Sequence, residues 1–302
     1  MSWYTTTDLD KFMTAAVAYL SSAASENIAL LSAVADARDG KQGSGRGSLY
    51  GWWEPADGAA PRAAFLHDAS RPLLIAGHAP EPAAALAAPL ARAGRSPSGV
   101  DACTPAADAF ADAWRQRTGT GARLHRTSHV HRLTGCVAAY EAPPGHARSA
   151  TWADRDLLVS WLRSLGNEIG DLTAIPEASA DDLLGYGGAA FWEAGDRPVA
   201  TAMVAPAVAG AVQVSNLYAP PEHRGHGYAI AVLVAVCRAA LVGRAREVVL
   251  VTDGVRPMRR VARLGFELLA ERTALSFGPP TGPIPRVTGP LSRVTGPVPR
   301  LR

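Results

Sequence analysis

The chain has 302 residues, a length that favours two domains of ordinary size over one. Its net charge of +3 is too small to argue for nucleic acid as a partner. The cysteines lie far apart, and the N-terminus lacks the basic region and apolar core of a secretion signal, so we expect reduced thiols in a cytoplasmic protein. The longest apolar stretch, Tyr228 to Val236, is too short to span a bilayer, and no membrane role is expected.

Helix and strand patterns alternate through the first half of the chain. Helical periodicity predicts helices over Asp8–Leu20 and Ser25–Ala37, with Asp8 and Ser25 as the N-caps. The other elements predicted here are a mobile Gly- and Ser-rich loop at 41–48, helices at 83–93 and 105–117, and a strand at 124–133.

The two halves of the chain share a faint internal repeat. An apolar strand ending in Trp-Glu and an Asp-containing turn occurs at 49–58 and again at 189–197, and each turn is followed by a strand of small apolar residues. The segment 73–86 then echoes the strand end and helix that begin at Leu217, but without the Gly-rich loop. We interpret the first half as a degenerate copy of the second, which packs against it as an internal pseudo-dimer. A chance similarity between hairpins is the alternative.

The second half contains the segment with the clearest chemical meaning. After a linker at 142–146 and an amphipathic helix over Asp154–Ile169, a strand ends at Pro220-Pro221 and the loop Arg224-Gly-His-Gly-Tyr-Ala229 opens an apolar helix. A helix start offers unpaired N–H groups and a partial positive charge, and glycines let the main chain approach an anion closely. The loop therefore predicts a diphosphate-binding site. It matches neither the nucleoside-triphosphate loop nor the dinucleotide-binding pattern.

A seven-residue repeat closes the chain. Units beginning at Thr281, Thr288 and Thr295 each carry Gly-Pro and an arginine. Because proline and glycine in every unit oppose helix formation, we expect a disordered, partly polyproline-II tail over 279–302. The tail is either a solvated appendage or a contact for an acidic partner.

From residue 147 to residue 277 the sequence resembles the GCN5-related N-acetyltransferase superfamily. The family's loop reads Arg/Gln-x-x-Gly-x-Gly/Ala and is followed by a helix, a strand and a Leu-Gly-Phe turn. Here Glu222–Gly227 covers the loop, with Glu222 where Gln or Arg is usual, and Leu264-Gly265-Phe266 closes the run.

The resemblance implies an α/β (α+β) fold with a mixed, mostly antiparallel central sheet flanked by helices, and we expect this fold to be duplicated in tandem. The domains expected are a degenerate one at 1–141, an acyl-CoA-binding one at 142–278 and the tail. The resemblance also implies acetyl-CoA as co-substrate. The acceptor it implies is a primary amine of a small molecule or peptide, and the amine attacks the acetyl group directly in a ternary complex. The residues expected to bind the coenzyme are Leu217, Tyr218, Ala219, Arg224, Gly225, His226, Gly227, Tyr228 and Ala229.

The acid and base of such a reaction are harder to assign. The family commonly has a tyrosine four residues before the glycine of Leu-Gly-Phe, where its phenol can protonate the leaving thiolate, but here that position is Val261. Glu168 and Asp253 are the candidate catalytic bases, with Glu222 a weaker one. Without the tyrosine, a non-catalytic acyl-CoA-binding or scaffold protein is the alternative function.

Two further expectations concern metals and assembly. His129 and His131 alternate onto one face of a strand, with Cys136 beyond them, but no fourth ligand is apparent, so no metal site is expected. The protein is expected to be a monomer built as a pseudo-dimer, or a homodimer.

Overall fold

The computed structural model describes residues 1–40, 47–56, 59–169, 176–253 and 260–278. Most of the loop predicted at 41–48 and the whole of the tail predicted at 279–302 lie outside this part of the chain. The first half forms β1 (Ser2–Thr6), α1 (Leu9–Ser22), α2 (Ile28–Arg38), β2 (Leu49–Glu54), β3 (Ala63–His67), β4 (Leu73–Ala76), α3 (Pro80–Arg92), β5 (Gly99–Cys103), α4 (Thr104–Thr118) and β6 (Gly121–Thr134). The second half forms β7 (His146–Ser149), α5 (Arg155–Ile169), α6 (Pro176–Tyr186), β8 (Ala189–Ala194), β9 (Arg197–Val204), β10 (Ala211–Tyr218), α7 (Tyr228–Val242), β11 (Glu247–Asp253) and β12 (Glu267–Gly278).

All strands join one mixed sheet in the order β1-β2-β3-β4-β5-β12-β6-β11-β10-β9-β8-β7. Only β4 with β5 and β10 with β11 pair in parallel. Read from one edge, the order is β1-β2-β3-β4-β5-β12, and read from the other edge it is β7-β8-β9-β10-β11-β6. Strands at the same position in these two orders are always six apart in the chain. The echoing segments at 49–58, 62–67 and 73–86 therefore fall on strands that occupy equivalent places in the two halves.

The two halves exchange their last strands at the centre of the sheet. β6, from the first half, lies beside β11 of the second, and β12, from the second half, lies beside β5 of the first. β6 and β12 then pair antiparallel with each other along almost their whole length. Each half thus completes its sheet with a strand from the other. The domain boundaries at 141 and 278 stay predictions.

Helices cover both faces of this sheet. Helices α1 and α2 pack with the central strands, burying Phe12, Tyr50 and Val249 in one cluster, and α5 and α6 bury Phe191 with Met203 further along that face. Helices α3 and α4 cover the opposite face of the first half. Helix α7 covers that face of the second half. Burial under this helix raises the pKa of the Cys237 thiol to about 12, which leaves the thiol protonated and unreactive.

The local sequence explains where α1 begins but not where α2 begins. Asp8 caps α1 as predicted, since its carboxylate accepts from the backbone N–H groups of Asp10 and Lys11. The prediction that Ser25 caps α2 is wrong, because the helix begins at Ile28 and Ser25 lies in the preceding turn. The predicted strand at 124–133 is confirmed and is longer, whereas β1, β7 and α6 are not foreseen by the sequence patterns.

A half-buried ion-pair cluster fixes the start of α5. Arg148 on β7 donates to both carboxylate oxygens of Asp154, at 2.7 and 2.8 Å, and to Glu193 on β8. Asp154 also accepts from the backbone and hydroxyl of Thr151. The hydrogen bonds from Arg148 lower the pKa of Asp154 from 3.8 to about 2. The carboxylate form is therefore bound more tightly in the folded protein than in the unfolded chain.

We expect Asp154→Asn to lower the free energy of unfolding by about 2 kcal/mol at pH 7, the value of that pKa shift. Because the folded pKa is depressed, this stabilisation is present above pH 4 and is lost as the pH falls toward 2. Urea titrations at several pH values measure it. Asp156→Asn, in the same turn but fully exposed, is the matched control. An equal loss for both variants would contradict the assignment.

The strand exchange predicts that neither half folds alone. Residues 142–278 by themselves leave β11 without β6, and β12 without both of its neighbours, so that long hydrophobic edges are exposed. We expect this fragment to be aggregated or unfolded by circular dichroism, and co-expression with residues 1–141 to yield a soluble, stable heterodimer. A folded, monomeric 142–278 fragment would disprove the structural role given to the exchange.

Candidate functional site

The candidate site begins where two parallel strands separate. β10 and β11 pair in register only from Ala211 with Glu247 to Val214 with Leu250. Beyond that point, β10 bends at Asn216, whose φ of 49° lies in the left-handed region, and its register with β9 shifts. The strands therefore diverge, and the facing edges of 215–218 and 251–253 do not pair with each other, which leaves a wedge between them.

The Gly-rich loop follows the divergent end of β10 and opens α7. Gly225 and Gly227 have φ values of 85° and 83°, in the left-handed region that glycine tolerates best. Gly227 is the N-cap of α7, and the first helical bond in this turn is the one that Ala231 N–H donates to the Gly227 carbonyl. Within the described part of the chain, no acceptor pairs with the N–H groups of residues 225–230. These amides are thus available to an anion at the positive end of the helix.

Arg224 does not point its guanidinium freely into the loop. Its Nε donates to the Ala219 carbonyl at 2.9 Å, and its Nη2 donates to both carboxylate oxygens of Glu168 at 2.6 and 2.8 Å. This pair raises the pKa of Arg224. The guanidinium also lies over the ring of Tyr218. Two predicted site residues, the cation Arg224 and the base Glu168, are therefore brought together, but they bind each other and tie the end of α5 to the loop.

A cavity of about 800 Å³ lies against the loop. Of the residues predicted to bind the coenzyme, Ala219, Arg224, Gly225, Gly227, Tyr228 and Ala229 line it. His226 stacks on the ring of Tyr228.

Several lining residues of this cavity were not predicted from the sequence, and three of them are polar groups close to the proposed anion site. Arg260 and Arg263, which follow β11 in the chain, add two cations. The Tyr140 hydroxyl donates to the Gly227 carbonyl at 3.2 Å and so holds the loop from the interdomain segment. The arginines could have been found from the cluster of basic residues after β11, whereas no sequence pattern marks Tyr140.

A second cavity, of about 440 Å³, fills the wedge between the diverging strands. Leu217 and Asp253 line it from the two strand ends. Glu168 does not line it, although its neighbour Ile169 does. Of the two predicted bases, only Asp253 faces the space between the strands where an acceptor could meet a bound thioester.

The position of the missing tyrosine is occupied by a buried aliphatic side chain. Val261 is 3% exposed and packs with Leu264 and Phe266 behind the loop. A valine has no proton to donate, so this position contributes packing and no acid chemistry.

The equivalent turn of the first half cannot bind a diphosphate. Helix α3 begins with Pro80-Glu81-Pro82. The two prolines lack an N–H group, and Glu81 places a negative charge in the first turn, where an anion would be repelled. Of these two equivalent turns, the one in the second half has the chemistry for an anion.

The paired histidines of β6 bind neighbouring side chains. His131 Nε2 lies 3.0 Å from the Thr252 hydroxyl, and His129 lies 3.6 Å from the Glu271 carboxylate. Burial lowers the pKa of His131 and keeps its ring neutral. Across the described residues, no three His, Cys, Asp or Glu side chains come close enough together to hold a metal ion. Nor does any described helix combine the length and the apolar character needed to cross a membrane.

No family model and no curated protein matches this sequence. Among solved structures, a GCN5-related N-acetyltransferase from Sphaerobacter thermophilus superposes with a TM-score of 0.54 at 18% identity, covering 84% of this chain and 93% of its own. A GNAT-family acetyltransferase from Colwellia psychrerythraea superposes with a TM-score of 0.54 at 9% identity, covering 92% of this chain and 99% of its own. A Drosophila protein superposes with a TM-score of 0.63 at 11% identity, also covering 92% of this chain and 99% of its own.

These likenesses extend over both halves of the chain, so the match is not confined to the second half from which the sequence resemblance was drawn. The chain has the GCN5-related N-acetyltransferase fold, with its mixed and mostly antiparallel sheet flanked by helices.

Proposed function

We propose that this protein is an acetyl-CoA-dependent N-acetyltransferase that acts on a primary amine of a small molecule or peptide. The observation that carries the proposal is the pair of left-handed glycines, which opens unpaired amides at the start of α7 beside a cavity lined by arginines. The coenzyme diphosphate would bind the amides of residues 225–229 and the side chains of Arg260 and Arg263. The pantetheine arm would follow the unpaired main chain of β10 into the wedge.

In this proposal the two substrates meet between β10 and β11 and react directly. The amine nitrogen attacks the thioester carbonyl carbon, the carbon–sulfur bond breaks, and the proton lost by the nitrogen ends on the coenzyme sulfur. Products are the N-acetyl amide and free coenzyme A. An amine must lose its ammonium proton before it can attack, so the reaction needs a base. We assign this role to Asp253, because it lines the wedge.

A non-catalytic acyl-CoA-binding protein is the second candidate, and Val261 is the observation that favours it. A thiol of moderate acidity can nevertheless leave without an acid beside it, so the absence of the tyrosine does not by itself abolish transfer. Release of free thiol over a panel of amines separates the two functions. Tight coenzyme binding with no release on any amine would favour the binding protein.

The loop is tested by Gly225→Val and Gly227→Val with isothermal calorimetry of coenzyme A. A β-branched residue in the left-handed region costs about 1–2 kcal/mol of stability, and it withdraws the amides from the anion, so we expect affinity to fall at least about tenfold.

Gly119→Val is the matched control for these variants. Gly119 has a φ of 73° at the end of α4, with open space around it and no part in the site. It should show the same loss of stability and unchanged affinity. Failure of the wild type to bind coenzyme A, or full binding by both loop variants, would refute the proposal.

The base is tested by comparing Asp253→Asn with Glu168→Gln. We expect the first to lower kcat by about a hundredfold or more, in the range found for general bases. The second should lower kcat far less, since both oxygens of Glu168 already accept from Arg224. A larger fall in kcat for Glu168→Gln than for Asp253→Asn would make Glu168 the base.

A further inference from the structure

The wedge cavity is closed by the first half of the chain, which carries no diphosphate loop of its own. Glu26, Ile28 and Ala29, from the start of α2, line it together with Ser128 of β6. The second half supplies the other walls from β10 and β11, from the end of α5 and from Arg272 of β12. Because β6 and α2 both belong to the first half, the degenerate half forms part of the space in which an acceptor would bind.

The floor of this cavity contains a buried ion pair that is already complete. Arg272 of β12 donates to the Asp101 carboxylate of β5 at 2.7 and 3.0 Å and to its carbonyl at 3.0 Å. The arginine side chain is 9% exposed. Since these two charges neutralise each other, the other charged side chains that line the cavity are Glu26, Asp253 and Arg126, of which Glu26 also contacts the imidazole of His78.

The two carboxylates differ in their surroundings. Glu26 pairs with the imidazole of His78, and its side chain is only 29% exposed. Burial raises the pKa of the neighbouring Tyr19 to about 12, and the negative charge of Glu26 adds to this shift. Asp253 ends β11 and is exposed to the cavity.

Arg126 lies on the same face of the sheet as Asp253. In the antiparallel register Asp253 is directly opposite Ser128, so both side chains point to one face. Arg126 is two residues earlier on β6 and shares that face, about 7 Å from Ser128 along the strand. Arg126 is exposed and forms no ion pair with a described residue. The Asp253 carboxylate and the Arg126 guanidinium therefore line one cavity from positions on the same face of the sheet.

We propose that the acceptor is a small zwitterion of the amino-acid type, whose ammonium group lies between Glu26 and Asp253 and whose carboxylate binds Arg126. This inference rests on the proposed acetyltransferase function and assigns the specificity for the acceptor to side chains of the degenerate half. Arg126 and Glu26 are specificity residues here, while Asp253 keeps its proposed role as the base.

The test measures acceptor binding directly, so that it does not depend on turnover. The full-length protein, with and without saturating coenzyme A, is titrated calorimetrically with the standard L-amino acids and with the corresponding amino-acid amides, which keep the amine and lose the negative charge. We expect at least one amino acid to bind at least about tenfold more tightly than its amide, as a charge-assisted contact requires. Arg126→Gln should abolish this preference.

Arg123→Gln is the matched control for Arg126→Gln, because Arg123 is exposed on the same strand and does not line the cavity. It should keep the preference of the wild type. Glu26→Gln should weaken the amino acid and its amide alike, whereas Glu81→Gln, on the surface of α3, should weaken neither.

Three results would overturn the inference: no amino acid binds, acids and amides bind equally well, or Arg126→Gln keeps the preference. Each can occur while coenzyme A still binds and other amines are still acetylated, which would leave the proposed function standing. Loss of coenzyme binding in the wild type would instead refute the proposed function, whatever the amino acids do.

Discussion

The antiparallel pairing of β6 with β12 is the interaction on which this molecule depends. Each of these strands comes from one half of the chain and completes the sheet of the other, so their mutual pairing joins two incomplete units into one sheet. The Arg272–Asp101 pair, buried between β12 and β5, adds a polar constraint on the same register. A slip by one residue would turn every side chain of the exchanged strand to the opposite face and separate these charges.

This arrangement explains why a half without a diphosphate loop can be retained. The first half supplies β6, which closes the second sheet beside β11, and α2, whose start closes the wedge cavity. Helix α3 meanwhile begins with two prolines and an acidic residue, which suits a stable helix start and excludes an anion. The symmetry of the backbone thus coexists with a strong asymmetry in chemistry, because the fold depends on the strands and the anion site depends on a few residues of one turn.

The sequence predicts what local patterns encode. The Gly-rich loop, the apolar α7 and the hairpin echoes all follow from short-range spacing, and the structure has a helix start at Tyr228 and equivalent strands at the echoes. The strand exchange is not predictable in this way, since β12 pairs with residues more than a hundred positions earlier. The periodicity of a strand's sequence does not indicate which other strand it pairs with. The same limit applies to the Arg224–Glu168 pair and to Tyr140, whose contacts with the loop arise only when distant segments pack together.

The pairing of Arg224 with Glu168 connects the two sides of the proposed site. The loop would hold the coenzyme, while the end of α5 borders the wedge through Leu165 and Ile169. An exposed ion pair contributes little stability, about 0–1 kcal/mol, so its consequence is geometric. The guanidinium fixes the Ala219 carbonyl and the last turn of α5 relative to the loop glycines.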